Sequence, residues 1–527
     1  MKDNTVIVDG TESSPTIRFA PVFNVAAAFI DRHVEEGRAA KVAIRSTARA
    51  DVTYGELAER VNRCGNVLKS LGIGRGERML IVVPDLPEFF YLFWGAVKVG
   101  IIPVPLNTLL RAAEYQFLIG DSACAAIVYS PSVAGAVEEA LQSAEHKPDH
   151  AILTEGAGSI LELMEKAPAS LDPAPTTATD ECFWLYTSGS TGNPKAAVHR
   201  HRDPVVTSQL YAYGALGMRE HDTIFSASKL FFSYGFGNSM TFPLWAGATT
   251  VLNDQRTSVD MTFDTIEAFR PTFYFGVPSL YAQQLAELEK SKRDLGSLRI
   301  CASSGETVPA EIFRRWKEKV GIAIMDGLGS TESLHIFLSG QPDDYKPGTT
   351  GRLVAGYEVK IVGEDGNPVK QGETGTLLVK GESSAIYYWN NPEKTASTML
   401  GEWLNTGDVY YQDDDGYYVN WGRGDDMLKV SGMWCSPMEV EGRLMENPKV
   451  LLAAVVGRAD DEGLTKPEAF VVLKDANDAR DGLVEELQEH CKTGLAGYKY
   501  PHWINFVDEL PKTVTGKIQR FKLRAST

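Results

Sequence analysis

The most informative segment of the chain is Tyr186-Thr187-Ser188-Gly189-Ser190-Thr191-Gly192-Asn193-Pro194-Lys195, which follows a short apolar run. Hydroxyl residues and glycines alternate here, and bulky side chains are rare. A strand that leads into such a loop leaves backbone N–H groups free to turn toward an anion, and glycine lets an oxyanion approach closely. The hydroxyls add hydrogen-bond donors, and Lys195 adds a mobile positive charge. The segment therefore predicts a polyphosphate-binding loop.

The same composition is also typical of a solvated Ser/Gly linker. The apolar residues 183–186 before the loop and the closing Pro194-Lys195 favour phosphate binding over a linker. The loop differs from the P-loop, because that motif needs G-x-x-x-x-G-K-[ST] and closes onto a helix.

Upstream of this loop, apolar strands and helices alternate. Thr53 and Glu56 form a predicted capping box that opens a helix ending near Leu71. Strands are predicted over 79–83 and 125–129, and helices over 88–99 and 134–143. Strands that are apolar throughout belong to parallel sheets covered by helices on both faces. The pattern therefore predicts an α/β fold with parallel-rich sheets.

Length and charge narrow the class of protein. A chain of 527 residues is too long for one core and predicts two or more domains. The formal net charge of -17 leaves no basic field to neutralise nucleic-acid phosphates, so nucleic acid is not an expected partner.

The six cysteines form no C-x-x-C pair, which favours a reducing cytoplasm over a disulfide framework or a zinc site. The apolar run 89–106 is interrupted by Lys98 and two prolines, so no membrane span is expected.

Downstream, aromatic side chains lie among small residues in Lys229-Leu230-Phe231-Phe232-Ser233-Tyr234-Gly235-Phe236-Gly237-Asn238. Any one of these aromatics is more often plain core than a ligand contact. As a group beside glycines, they suit a flat, apolar slot for a ring-shaped ligand. Ser233, Tyr234 and Gly235 are the candidate contacts.

Three further motifs suit a nucleotide. Met325-Asp326-Gly327-Leu328-Gly329-Ser330-Thr331-Glu332 is a predicted glycine-rich loop whose Thr–Glu pair suits a hydroxyl on phosphate and a carboxylate on Mg²⁺. Asp408 is predicted to follow a tight turn and can accept two hydrogen bonds from vicinal ribose hydroxyls. A weaker motif, Ser303-Ser304-Gly305-Glu306-Thr307, is a predicted turn from a strand into a loop.

Taken in their order along the chain and over nearly its whole length, these motifs resemble the adenylate-forming superfamily of acyl-CoA synthetases, luciferases and peptide-synthetase adenylation domains. The aromatic segment is most similar to that of benzoate-CoA ligases. The resemblance implies that Glu332 holds Mg²⁺ and Thr331 binds phosphate. It also implies nucleotide contacts from Gly305, Glu306, Thr307, Asp326, Gly327, Asp408 and Arg423, and an acyl-pocket wall of Gly327, Leu328, His335 and Ile336.

Two details refine the resemblance. Leu328 stands where many members carry an aromatic residue on the adenine, whereas benzoate-type members carry an aliphatic residue there. Peptide-synthetase domains place an acidic residue near the aromatic segment to pair with an ammonium group. No Asp or Glu lies between Lys229 and Leu244, so an α-amino acid substrate is not expected.

From Asp425 onward the predicted elements become shorter, and about a hundred residues can hold their own core. The resemblance implies a large N-terminal domain over 1–424, with a smaller β-subdomain, and a small mobile α+β lid over 425–527 that pivots about Asp425. In one arrangement Lys517 bridges the incoming carboxylate and the α-phosphate. In the other, Lys429 and Gly432 face the site, and Gly432 leaves room for a pantetheine arm.

Together these implications predict an ATP-dependent aryl-carboxylate:CoA ligase that forms aryl-CoA, AMP and pyrophosphate through an acyl-adenylate. Its substrates are a small aromatic carboxylate, ATP and coenzyme A, with Mg²⁺ as the metal. Anthranilate and hydroxybenzoates stay open as substrates because they are also flat, and the sequence does not decisively exclude a fatty acid. An adenylation enzyme that loads a carrier protein is the main alternative, and a nucleotide sensor without enzymatic activity is the third. The resemblance also allows a homodimer.

Overall fold

The structure is a computed structural model that describes residues 1–11, 14–187, 193–430, 433–461, 463–512 and 518–524. Residues up to Arg200 form β1 (Val6–Thr11), β2 (Ser14–Phe19), α1 (Arg32–Glu35), β3 (Val42–Ser46), β4 (Val52–Thr53), α2 (Tyr54–Ser70), β5 (Arg78–Val82), α3 (Pro87–Val99), β6 (Ile102–Pro105), α4 (Ala112–Ser122), β7 (Ala126–Tyr129), α5 (Ala134–Ser143), β8 (His150–Leu153), α6 (Ile160–Lys166), β9 (Glu181–Thr187) and β10 (Lys195–Arg200).

The middle of the chain continues the alternation of helices and strands. Its elements are α7 (Asp203–Thr207), β11 (Thr223–Ser226), α8 (Ser233–Phe236), α9 (Phe242–Ala246), β12 (Thr249–Leu252), α10 (Val259–Phe269), β13 (Phe273–Gly276), α11 (Pro278–Leu288), β14 (Ile300–Ser303), α12 (Ala310–Val320), β15 (Ile324–Gly329), β16 (Ile336–Ser339) and β17 (Arg352–Leu353).

The remaining elements are mostly antiparallel strands and a few helices. They are β18 (Glu358–Val362), β19 (Gly375–Lys380), α13 (Pro392–Thr398), β20 (Met399–Leu400), β21 (Trp403–Gln412), β22 (Tyr418–Arg423), β23 (Leu428–Val430), β24 (Met433–Cys435), α14 (Pro437–Met445), β25 (Val450–Ala459), β26 (Thr465–Leu473), α15 (Leu483–Gly494), β27 (Trp503–Phe506) and α16 (Arg520–Arg524).

Strands β6, β5, β7 and β8 form a parallel sheet in that order. Helix α2 begins at the predicted capping box, in which Thr53 and Glu56 satisfy each other's backbone N–H groups. Helix α3 packs against α2 and is buried along its length, because nearly all of its side chains are apolar. It ends at Gly100, whose left-handed φ of 81° suits glycine.

A second sheet has the strand order β17-β16-β15-β14-β13-β11-β12-β3-β4 within the described residues. Its central pairs, from β15 to β3, are parallel, and β4, β16 and β17 add antiparallel edges. Parallel neighbours end at one edge of a sheet, and ligands of such folds bind beyond the carboxyl ends of the strands. The turns after β14 and β15 therefore meet at this edge.

Mostly antiparallel strands form the rest of the molecule, and β26 and β27 are a parallel pair within it. Strands β9 and β10 make a two-stranded ribbon, and β18 to β22 form a smaller β-sheet. After β22, the sheet of β25, β26 and β27 packs against α14 and α15 around a separate hydrophobic core. The predicted α/β class is confirmed, and the boundary at Asp425 stays a prediction.

Two local predictions were wrong. Residues 325–329 lie in β15 and not in a loop, since the glycines make room for a neighbouring segment: a Cβ at Gly329 would lie 2.4 Å from the His335 carbonyl oxygen. Asp408 does not follow a tight turn. It lies inside β21, next to Gly407 with a left-handed φ of 73°.

Candidate active site

A cavity of about 520 Å³ lies between the N-terminal part of the chain and the part after Asp425. Its far wall includes α14, Ile518 and Arg520. The near wall joins most of the residues expected to contact a nucleotide, although they come from separate motifs: Gly305, Glu306, Thr307, Asp326, Gly327, Leu328, Asp408 and Arg423.

Asp326 lines this cavity. It lies on β15, which runs parallel to β14 and places Asp326 beside Ser303. The carboxyl accepts hydrogen bonds from the backbone N–H groups of Val308 and Gly327, both at 3.0 Å. Burial raises the pKa of Asp326 to about 8, although these two N–H groups act to lower it. Near neutral pH this carboxyl can therefore donate a hydrogen bond as well as accept one.

Asp408 and Arg423 form a hydrogen-bonded pair on neighbouring strands. They are direct partners in the register of β21 and β22. Arg423 Nη1 donates to Asp408 Oδ1 at 3.2 Å and to the Thr406 carbonyl at 3.0 Å. A carboxylate accepts several hydrogen bonds at once, so this pair suits a sugar with vicinal hydroxyls.

Thr331 and Glu332 lie in a turn between β15 and β16 that is close to the ribbon β9–β10. The Tyr388 hydroxyl donates to Glu332 Oε1, and Lys195 Nζ lies 4.9 Å from the centre of the Tyr388 ring. Burial lowers the pKa of Lys195, and the charge of Glu332 acts to raise it. Thr187 is the strand partner of Lys195, whereas the predicted phosphate residues 188–192 lie outside the described residues.

The donor set at this turn fits a magnesium ion that binds together with phosphates. Mg²⁺ is usually held by one or two carboxylates while phosphate oxygens and waters supply the other ligands. Glu332 supplies one carboxylate, and within the described ranges no group of three His, Cys, Asp or Glu side chains forms a complete protein cage. Glu332 and its neighbours therefore suit a Mg²⁺ ion that binds together with the phosphates better than a structural ion held by the protein alone.

The expected acyl-pocket residues lie on α8, on β15 (Gly327 and Leu328) and at the start of β16, with His335 directly before that strand. Ser233 Oγ is 3.5 Å from Thr331 Oγ1, and His335 Nε2 donates to the Tyr234 carbonyl at 3.2 Å. A Cβ at Gly235 would lie 2.1 Å from the Lys229 carbonyl oxygen, so only glycine fits there.

The rings around His335 make an uncharged wall. The His335 ring lies 5.4 Å from the Tyr234 ring and 4.4 Å from the Phe242 ring. Burial lowers the pKa of His335 to about 3, so the imidazole is neutral at physiological pH. Gly327, at the cavity, lies against Ile336, since a Cβ there would be 3.1 Å from Ile336 Cγ2. The aromatic wall thus adjoins the nucleotide-side cavity.

The C-terminal segment is in contact with this site. Ile518 N donates to Glu306 Oε1 at 2.8 Å, across the cavity. Its predicted catalytic neighbour Lys517 lies outside the described residues, as does Gly432. Lys429 is exposed on β23, with Nζ 5.5 Å from the Trp434 ring, and does not line the cavity. Asp425 lies in the short turn Gly424–Asp426 directly after β22.

Several residues of the site carry no sequence signal of their own. Tyr388 holds Glu332, and Asn420 Nδ2 donates to Thr307 Oγ1 at 3.0 Å. Tyr211 packs its ring 5.5 Å from His335. Each lies in a segment without a motif, so only the fold reveals its position.

Among the described helices, none combines the length and the apolar character that crossing a membrane requires.

Comparison with known proteins identifies the family. A model described as AMP-binding enzyme matches residues 30–389, and one described as AMP-binding enzyme C-terminal domain matches residues 439–517. The chain is 45% identical over 524 residues to a benzoate–CoA ligase of Thauera aromatica, covering 99% of each protein.

Solved structures agree with this match. A benzoate CoA ligase from Burkholderia xenovorans LB400 has a TM-score of 0.88 at 44% identity, covering 95% of this chain and 100% of that one. An anthranilate CoA ligase in complex with anthranoyl-AMP has a TM-score of 0.92 at 39% identity, covering 96% of this chain and 98% of that one. With most of its length matched by the family model and a full-length relative at 45% identity, the chain belongs to the AMP-binding enzyme family, the adenylate-forming superfamily.

Proposed function

We propose that the chain is an AMP-forming aryl-carboxylate:CoA ligase that converts benzoate or a close derivative with ATP and coenzyme A. The observation that carries this proposal is the contact of two surfaces. The cavity lined by Asp408 and Arg423 adjoins, at Gly327, the uncharged wall of Tyr234, His335 and Ile336. A flat acid on that wall has its carboxylate directed to the nucleotide. The similarity to a benzoate–CoA ligase supports this assignment.

The reaction has two displacements. First, a carboxylate oxygen attacks the α-phosphorus of ATP, the bond to the bridging oxygen breaks, and pyrophosphate leaves. Then the CoA thiol sulfur attacks the carbonyl carbon of the aryl-adenylate, the thiol proton is released, and AMP leaves. The first step brings two anions together, so it depends on positive charge and on positioning.

The phosphate side of the site supplies charge and donors. We assign phosphate contacts to Thr187, to residues 188–192, to Lys195 and to Thr331. Glu332 would hold Mg²⁺, which neutralises phosphate charge when bound. Tyr388 restrains the Glu332 carboxylate, because its hydroxyl donates to Oε1.

The lid supplies the remaining groups. We assign Lys517 to the adenylation step, in which its ammonium lies between the carboxylate and the α-phosphate. The contact of its neighbour Ile518 with Glu306 supports that position. Lys429 and Gly432 are assigned to the thioester step, which needs the part of the chain from 425 to 527 to pivot at Asp425 against residues 1–424.

The setting of the enzyme follows from its substrates. ATP and coenzyme A are cytoplasmic metabolites, and all six cysteines are free and buried, which suits a reducing compartment. We therefore place the enzyme in the cytoplasm. A homodimer is the assembly we propose to test by light scattering.

A substrate panel tests the function. Benzoate, 2-aminobenzoate, 4-hydroxybenzoate and hexanoate are compared by pyrophosphate–ATP exchange and by thioester formation with free CoA. We expect benzoate to give the highest kcat/KM and hexanoate a value about 100-fold lower. The fit of an apolar group in a hydrophobic pocket typically changes kcat/KM by about 10- to 200-fold. We expect the kcat/KM values of 2-aminobenzoate and 4-hydroxybenzoate to fall between these two, unless a polar group of the pocket wall forms a hydrogen bond with the substituent.

Two results would contradict the proposal. Absence of exchange with every aromatic acid would exclude the adenylation step. Exchange with benzoate but no thioester from free CoA would show that the acceptor is a carrier protein.

A further inference from the structure

His199 and Asp203 form a fully buried pair beneath the phosphate side of the site. His199 lies in β10, the strand that begins at Lys195. Its Nδ1 faces Asp203 Oδ2 at 3.1 Å, and its Nε2 donates to the Thr331 carbonyl at 2.8 Å. The pair therefore connects the ribbon of β9 and β10 to the turn that carries Thr331 and Glu332.

A second connection reaches the same turn from the other side. Asp203 Oδ2 accepts the Arg200 backbone N–H at 2.9 Å, and Arg200 Nη2 donates to the Ser384 carbonyl at 2.7 Å. The segment after Ser384 contains Tyr388, whose hydroxyl donates to Glu332. The turn is thus held by β10 on one side and by this segment on the other.

Packing alone does not explain a histidine at this position. The His199 ring stacks on Phe183 at 5.1 Å with an interplanar angle of 16°, a contact that an apolar ring would also make. Burying polar side chains is weak evidence for stability, because the cost of their desolvation offsets much of the gain from their hydrogen bonds. A buried polar network instead fixes the relative position of the segments it joins.

We propose that the His199–Asp203 pair is a positioning device: it holds the Thr331 carbonyl and thereby directs the Thr331 hydroxyl and the Glu332 carboxylate toward the phosphates and Mg²⁺. This inference rests on the proposed function and adds two residues to it. His199 acts through Thr331 and not on the substrate itself.

Two conservative variants separate the two hydrogen bonds. In His199→Gln the amide nitrogen reaches the place of Nε2 and keeps the bond to Thr331. In His199→Asn the shorter amide occupies the place of Nδ1 and cannot reach Thr331. His201→Asn is the matched control, because His201 is a buried histidine directly after β10 whose Nδ1 accepts the Val25 N–H at 3.2 Å and not a group of the turn.

The experiment measures ATP affinity by calorimetry with and without Mg²⁺, and pyrophosphate–ATP exchange with benzoate, on the full chain. We expect His199→Asn to reduce both the Mg²⁺-dependent gain in ATP affinity and the exchange rate about tenfold, the typical effect of one lost hydrogen bond of this kind. His199→Gln and His201→Asn should stay within about threefold of the unmodified chain, and KM for benzoate within about twofold.

Equal effects of the Asn and Gln variants, or an equal effect of His201→Asn, would overturn the proposal. If His199→Asn does not fold, His199→Phe takes its place, since its ring can keep the stacking on Phe183 but cannot donate to the Thr331 carbonyl, and an unchanged Mg²⁺ effect on ATP binding in that variant would also overturn the proposal. If the unmodified chain shows no exchange with any acid, the proposed function fails, and the calorimetric comparison still decides the role of the pair.

Discussion

Asp408 shows how one carboxylate can be tested for a single role. We predict that Asp408→Asn raises KM for ATP about 10- to 100-fold, because hydrogen bonds to a charged group contribute about 1.5–3 kcal/mol. The kcat should fall much less, since the ribose contact that we propose for Asp408 lies away from the α-phosphorus. Steady-state kinetics with varied ATP measure both constants.

2′-Deoxy-ATP provides the matched control on the ligand side. The unmodified chain should bind it more weakly than ATP, whereas Asp408→Asn should bind the two alike. If the variant still prefers ATP by the same factor, Asp408 serves to hold Arg423, with which it shares a hydrogen bond of 3.2 Å.

At the residue scale, motif residues could be predicted and their supports could not. Asp408 and Glu306 sit in short patterns that suggest their chemistry, and the structure brings both to one cavity. His199 could not be predicted, because its partner Thr331 lies 132 positions away. Asn420 likewise contacts Thr307, 113 positions away. Such pairs arise only when the sheets assemble.

The lid is the element whose movement can be tested by separating the two half-reactions. We predict that Lys517→Ala reduces adenylate formation about 10²–10³-fold, the typical loss of one positioned electrostatic group, while supplied aryl-AMP is still converted to thioester. Lys429→Ala should do the reverse, since the exposed β23 places Lys429 away from the cavity. Pyrophosphate–ATP exchange and thioester formation from synthetic benzoyl-AMP measure the two steps.

The two lysine variants control for each other. Equal losses in both half-reactions for Lys517→Ala would contradict a moving lid. A Lys429→Ala variant impaired in adenylation alone would contradict the role assigned to β23.

Helices and strands were easier to predict from the sequence than the backbone conformation of glycine-rich segments. Helix α2 could be predicted because a cap and an apolar face coincide in it. The segment 325–329 was predicted as a loop because glycine usually indicates a turn. In the fold these glycines serve close packing inside β15, a tertiary effect that the local sequence does not contain.

Across the whole molecule, buried histidines link stability to pH. Burial lowers the pKa of His33, His201 and His335 to about 3, and nearby arginine charges lower those of His33 and His201 further. An unfolded histidine has a pKa of about 6.5, so between these values the unfolded state binds more protons than the folded state. Stability from these groups is therefore complete above about pH 6.5 and is lost as the pH falls toward 3.

We predict that each such histidine lowers the free energy of unfolding by about 1.4 kcal/mol between pH 7.5 and 5.5. Asp326 acts in the opposite sense, since burial raises its pKa to about 8 and its contribution is lost as the pH rises. Urea unfolding of the unmodified chain and of His201→Asn at both pH values isolates one histidine. An identical pH dependence in the two proteins would contradict the prediction.

The turn that carries Glu332 has a consequence for how the molecule comes together. His199 Nε2 donates to the Thr331 carbonyl and Ser383 Oγ donates to the Ser333 carbonyl, across 132 and 50 positions of the chain, so the geometry of the turn forms only after long loops have closed. On refolding from denaturant, recovery of turnover should therefore lag behind the regain of helix, because this turn is set only when segments far apart in the chain have packed together.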